Sequence, residues 1–202
     1  MRRALLFALV LVVAVPALAQ EKMEMPRGIR AELISQLMFA QSRLLDLEGA
    51  FPQKDFTWRP AEGVRSVSEA FLHAAGSNYL TLKACGYKVP AGVGDDWEND
   101  SWEKMTTDKA KIADVIKKSF DAIIEGVKTM PEKDFDRQIS MFGMDFTIRN
   151  FMISMIAHLH EHLGQEIAYA RMNGVVPPWT AKQQMQQKAM KEKEMKEKAM
   201  KQ

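Results

Sequence analysis

Residues 147–178 read TIRNFMISMIAHLHEHLGQEIAYARMNGVVPP, and the parsing of this stretch decides the fold. Its apolar side chains recur at helical spacing, which marks a helix with one buried face. The pattern stops at Asn173-Gly174, with Pro177-Pro178 beyond, so a helix is expected from about Thr147 to Met172. His158 and His162, four residues apart, leave that helix from the same face on successive turns. Phe151, Ser154, Met155, Gln165 and Tyr169 share roughly that face. His160 points nearly opposite and cannot join the same ion, which suits a surface position.

Three further segments carry the same periodicity. The first runs from about Arg27 to Leu47, through Ile29, Leu33, Leu37, Met38, Leu44 and Leu45. A loop with Pro52, Pro60 and Gly63 follows. Ser66-Val67-Ser68-Glu69 then has the form of a capping box, which predicts a second helix from Ser66 to about Ala84, ending at Gly86. Ala91 to Trp102 is Gly-rich and acidic, but Asp95, Asp96, Glu98 and Asp100 lack the spacing and central Gly of a calcium loop. The third helix is expected over Thr107–Thr129, ended by Pro131. Phe135 to Phe146 is irregular or a small hairpin turning at Gly143. The chain therefore predicts an all-α four-helix bundle.

The two ends differ from this middle. Arg2 and Arg3, the apolar run Ala4–Val15 and the small residues Ala17-Leu18-Ala19 have the order of a secretory signal peptide cleaved near Ala19. Residues 1–19 are thus expected to be removed, leaving a soluble protein outside the cytoplasm, periplasmic or extracellular. No Cys follows the small residues, so no lipid anchor is expected, and no later stretch is apolar enough to cross a membrane. Cleavage takes away two arginines and no acids, leaving 26 basic against 26 acidic side chains. A neutral chain gives no reason to expect nucleic-acid binding. Cys85 is the only cysteine, so an internal disulfide is excluded; it reads as a small buried side chain. Residues 181–202 hold seven Lys, three Glu and four Met, and are expected to be disordered or loosely helical. Met185, Met190, Met195 and Met200 recur every five residues, which scatters them around a helix instead of lining one side.

The histidines carry the chemistry. His73, on the second helix, has mostly small neighbours in Ala70, Gly76, Ser77 and Ala84, together with Leu80. Small residues leave room beside an imidazole where ligands from facing helices can meet. Three neutral imidazoles from His73, His158 and His162 would leave coordination positions open for water or substrate. Zinc, nickel, iron and manganese all accept such ligands. Spacing alone does not separate this site from histidines that are simply hydrogen-bonded in a core. His158-Leu159-His160-Glu161-His162 also fits H-x-x-E-H, the inverted zincin pattern. Only 40 residues follow His162, too few for the downstream ligand of those peptidases, so the match is accidental.

Taken in order, several motifs resemble one family. Trp58-Arg59-Pro60-Ala61-Glu62-Gly63, then Ser66-Val67 and His73, look like the loop and second helix of DinB-like proteins. His158-x3-His162-x-Gly164-Gln165, Tyr169-x-Arg171-x-Asn173-Gly174 and Val176-Pro177-Pro178 resemble that family's fourth helix and its exit. The similarity covers about residues 28–180, within a domain bounded at 26–180. It implies a four-helix bundle with a long crossover connection, and one divalent metal ion on His73, His158 and His162. Leu163 and the isolated His160 depart from the family's pattern around the Gly-Gln pair, which leaves the outer hydrogen-bonding shell open.

The best-understood members of that family are thiol-dependent transferases and isomerases, and hydrolysis is proposed for others. The resemblance therefore implies a metal-dependent hydrolase or transferase acting on a small molecule. A non-catalytic metal- or ligand-binding stress protein is the alternative, and a structural bundle that forms a homodimer without metal a third. Glu161 is a candidate base or acceptor for an imidazole N–H, Gln165 a candidate for orienting a ligand or substrate, and Tyr169 a candidate donor to a substrate oxygen. Cytosolic thiol cofactors are scarce outside the membrane, so export weighs against a thiol transferase.

Overall fold

Ser66 starts the second helix as its neighbours require. Its hydroxyl accepts from the Glu69 N–H, and the Glu69 carboxylate accepts from the Ser66 N–H, closing a capping box. Asp108 and Thr147 cap two further helices through their side chains. Gly86 and Gly174 take the left-handed backbone that ends a helix, with φ of +77° and +72°. These local devices fix the element ends in a computed structural model that describes residues 27–90, 93 and 100–200. The expected signal peptide, and Asp95, Asp96 and Glu98 of the acidic loop, lie outside the described residues.

The elements are α1 Ile29–Ala50, α2 Val67–Ala84, the single turn α3 Asp100–Glu103, α4 Lys109–Thr129, β1 Gln138–Met141, β2 Met144–Thr147, α5 Ile148–Met172 and α6 Pro178–Ala199. β1 and β2 form an antiparallel hairpin, one of the two forms expected for this stretch, with Phe142-Gly143 at its turn and Met141 opposite Met144. Four long helices make the bundle. α4 and α5 each pack against both α1 and α2, which places α1 and α2 at opposite corners.

Contacts at the helix ends give the directions. Arg30 at the start of α1 donates to Lys128 O and Met130 O at the end of α4, and Lys109 at the start of α4 donates to Gly49 O and Phe51 O. α1 and α4 are therefore antiparallel, each lending a cation to the other's C-terminal carbonyls. Asn78 of α2 donates to Ser119 of α4, and Leu82 lies against Gly126 four and seven residues further along. α2 and α4 consequently run parallel, and the chain from Cys85 to Asp108 must travel the length of the bundle. That stretch is the crossover connection, and α3 lies on it.

Leu33, Leu37, Leu44, Phe71, Ile116, Phe120 and Phe151 belong to one buried core. Met38, expected on the inner face of α1, is 57% exposed, because the core stripe passes through Leu37 and Ala40 instead. Cys85 is buried and its thiol is pushed up to about 12, chiefly by that burial, which keeps it protonated and unreactive. Residues 178–199 form α6, as a run of Lys, Glu, Gln, Met and Ala has high intrinsic helicity. No residue of α6 is buried; Trp179 in its first turn packs against the core beside Arg43, and beyond it intrinsic propensity holds the helix. Among the described residues no helix is long and apolar enough to cross a membrane.

Glu166 conflicts with the core around it. It is fully buried on α5, and neither carboxylate oxygen has a hydrogen-bond partner. Burial drives its carboxyl well above the ordinary range, against an opposing effect of the Phe71 backbone. A raised carboxyl means that stability is complete below about 4.5, the unfolded value, and declines as pH rises toward the folded value. Glu48 is pushed up to about 7, by burial against the pull of Lys109, and acts in the same direction between about 4.5 and 7. Glu166→Met fills similar volume with an apolar chain. In urea denaturation at pH 7 it is expected to gain about 1–2 kcal/mol, the typical cost of an unsatisfied buried group, with a shallower loss toward high pH.

Candidate metal centre

Where α2 faces α5, three imidazoles converge. His73 comes from the second turn of α2, and His158 and His162 from successive turns of α5. The ring centroids lie 5.2 Å, 4.5 Å and 4.4 Å apart, and one ring nitrogen from each residue falls within 4.8 Å of the other two. His73 Nε2 stands 3.2 Å from His158 Nε2. Two nitrogens bound to one tetrahedral zinc at 2.0–2.1 Å are roughly 3.3 Å apart. The spacing of this pair thus already matches that of two ligands on a single ion.

The outward nitrogens are held by partners. His73 Nδ1 donates to Glu103 Oε1 at 2.6 Å, and the Arg65 guanidinium clasps the same carboxylate through Nε at 2.7 Å and Nη2 at 2.9 Å. His162 Nδ1 donates to Gln165 Oε1 at 2.9 Å, and Gln165 Nε2 donates to the Tyr169 hydroxyl at 2.7 Å. That hydroxyl donates in turn to Arg65 O at 3.1 Å, while the Tyr169 ring meets Trp58 edge-on. The two supports are one loop: Arg65 gives its guanidinium to the His73 side and its carbonyl to the His162 side. With Nδ1–H fixed outward on both rings, each Nε2 lone pair faces the point of convergence.

His158 lacks such a partner. Its Nδ1 is 3.8 Å from Glu161 Oε2, too long for a hydrogen bond, and the Glu161 side chain is 77% exposed. His160 is turned away from the cluster toward α1, its ring 6.0 Å from that of Phe39. Gln165 and Tyr169 therefore stand behind His162, and Glu161 at the solvent edge of His158.

The electrostatics favour neutral imidazoles. Burial, then the neighbouring His162 and His73, push His158 down to about 4. Burial lowers His162 as well, with His73 and Arg65 adding to it and the Gln165 hydrogen bond opposing. Burial works to raise Glu103, but hydrogen bonds from His73 and Arg65 and the Arg65 charge overcome it and hold the carboxyl down to about 2. At neutral pH His158 and His162 offer uncharged nitrogen donors, and the carboxylate behind His73 is ionised. Such a donor set fits a divalent transition ion and suits neither calcium nor magnesium.

Glu103 and Arg65 are the site residues that the sequence did not disclose. Trp102 was the available signal. An indole in an otherwise polar loop marks a buried anchor, and here it is 8% exposed with Nε1 donating to Leu72 O at 2.7 Å. That anchor sets the neighbouring Glu103 against His73.

Space adjoins the cluster on both sides. A pocket of about 370 Å³ borders His73 and His158, with Gly76, Leu80, Trp102, Phe142 and Met155 in its walls. A more polar recess of about 550 Å³ lies across Glu103, bordered by Arg59, Arg65, Glu69, Lys104 and Gln165.

Comparisons with known proteins agree with this architecture. No functionally curated protein matches the chain. Among solved structures, a DinB-like protein from Bacillus cereus superposes with a TM-score of 0.63 at 18% identity, over 72% of this chain and 93% of that one. A DinB-like protein from Bacillus subtilis does so with a TM-score of 0.56 at 19% identity, over the same shares. At such identities the likeness concerns the fold alone. The sequence profile of the DinB superfamily matches residues 36–165, a span that contains all three imidazoles, the whole of α2 and most of α5. The chain belongs to the DinB superfamily.

Proposed function

We propose that this protein holds one divalent metal ion on His73, His158 and His162 and acts outside the cytoplasm as a metal-dependent hydrolase or transferase on a small molecule. The observation that carries the reading is the convergence of one nitrogen from each of three imidazoles, two of which have their Nδ1 held by a hydrogen bond to a neighbouring side chain. An ion there supplies positive charge that acidifies a bound water or thiol. The chain's own residues do the remaining work. Glu103 and Gln165 keep two rings in the ligating tautomer. Tyr169 commits its proton to Arg65 O, which favours positioning of Gln165 over donation to a substrate. Glu161 stands near enough to His158 Nδ1 to accept its proton after a small side-chain movement.

The order of residues 1–19 supports export, which in turn favours hydrolysis over transfer to a cytosolic thiol. Elemental analysis after dialysis tests the metal reading. The purified protein is expected to retain close to one equivalent of zinc, nickel, iron or manganese, whereas a chain that retains none overturns it. A screen of small esters and amides, with and without chelator, then tests catalysis.

A further inference from the structure

Resting on the metal reading above, we infer that the substrate carries a compact apolar group, about the size of one ring, held between α2 and the β1–β2 turn while its reacting atom lies at the open face of the three imidazoles. His73 and His158 border both the convergence point and the 370 Å³ pocket, so a molecule in the pocket touches the face left free by the ligands. That volume is near the lower end for ligand pockets, roughly 300–1,000 Å³.

The walls select for apolar matter. Leu80, Met155, Phe142 and the Trp102 indole supply most of the surface, and the Ser77 hydroxyl is already spent on Ala74 O. Gly76 is needed for this shape: a Cβ there would stand 2.9 Å from Trp102 Nε1 and push the indole from its place. The Glu103 carboxylate at the rim repels an anionic substituent.

Phe142 is the second, independent sign. It begins a two-residue hairpin turn with φ of +54°, followed by Gly143 at +73°. Such a turn favours Asn, Asp or Gly at its first position, and a bulky side chain there costs free energy. The Phe is also 64% exposed, and its one ring contact among the described aromatic pairs is with Phe151 at 6.3 Å, so little burial offsets that cost. Its ring overhangs the pocket, a position that a turn-optimised Asn would leave open.

The test uses the cobalt(II)-loaded full chain and the cobalt visible spectrum, titrated with acetohydroxamate and benzohydroxamate. Both present the same ligating head, and only the second has a ring. Benzohydroxamate is expected to bind at least about tenfold more tightly, the effect of removing a modest apolar area from water. Leu80→Trp, which fills the pocket, should abolish the preference. Phe142→Asn should reduce the preference severalfold without lowering Tm, so loss of folding does not account for it. Equal affinity for the two hydroxamates in the cobalt-loaded wild type, or a preference that survives Leu80→Trp, overturns the inference and leaves the metal reading standing. A chain that takes up no cobalt overturns both.

Discussion

His158→Ala is expected to weaken divalent-metal binding by at least about 100-fold, the upper range for removing an outer-shell partner and hence a lower bound for removing a ligand itself. Of the three imidazoles this one gives the cleanest experiment. His73 is tied to Glu103, and His162 to Gln165, Tyr169 and Arg65 O, so truncating either disturbs the loop that orders the site. Among the described residues the His158 side chain makes no hydrogen bond except the Nε2 approach to His73, and it is 29% exposed. Its loss should therefore remove metal without removing fold. Metal content by elemental analysis and Tm of the metal-free protein separate the two effects. A variant that keeps wild-type metal after dialysis shows that the ion, if any, lies elsewhere.

The same variant has a pH signature. In the unfolded chain His158 takes a proton near 6.5, whereas in the folded metal-free protein it does so only near 4. Between those values the unfolded state binds more protons, so metal-free stability falls as pH falls from about 6.5 to about 4. His158→Ala deletes this contribution, and its stability should decline less over that window. Glu48 and Glu166 act with opposite sign and His162 with the same sign, but all three are present in both proteins, so the difference between wild type and variant reports chiefly the His158 imidazole.

What the sequence disclosed was governed by short-range chemistry. The capping box at Ser66, the stops at Gly86 and Gly174, the hairpin turn at Gly143 and the shared face of His158 and His162 each depend on residues within about one helical turn. His73 was joined to that pair by family resemblance, since spacing left the alternatives open. The illegible parts are tertiary. Glu103 reaches His73 from thirty residues away, and only the path of the crossover brings them together. Arg65 precedes a cap and shows nothing of its two roles until Tyr169 and Glu103 are placed beside it. The tail left disorder and loose helix both open, because it lacks an apolar face while its residues have high intrinsic helicity.

Glu103→Gln should lower metal affinity by about 10–100-fold, the range for altering a carboxylate hydrogen-bonded behind a ligating histidine. The substitution keeps the shape and one carbonyl acceptor for His73 Nδ1–H, but it deletes the negative charge that makes the ring a stronger donor. It also sets an amide N–H against the Arg65 fork that now meets both carboxylate oxygens. The position of α3 should survive, because Trp102 is anchored to Leu72 O on its own account. The loss must then come through His73 and not through collapse of the crossover. Competition with a chelator gives the affinity, and an unaltered near-ultraviolet signal of Trp102 reports that the turn is in place. Glu103→Asp sharpens the argument, since the shorter arm keeps the charge but cannot span from Arg65 to His73. If charge alone matters, Asp restores binding; if orientation matters, it fails as Gln does. Wild-type affinity in the Gln variant would mean that the 2.6 Å contact only fastens the crossover to α2, and that the second imidazole is oriented by its helix alone.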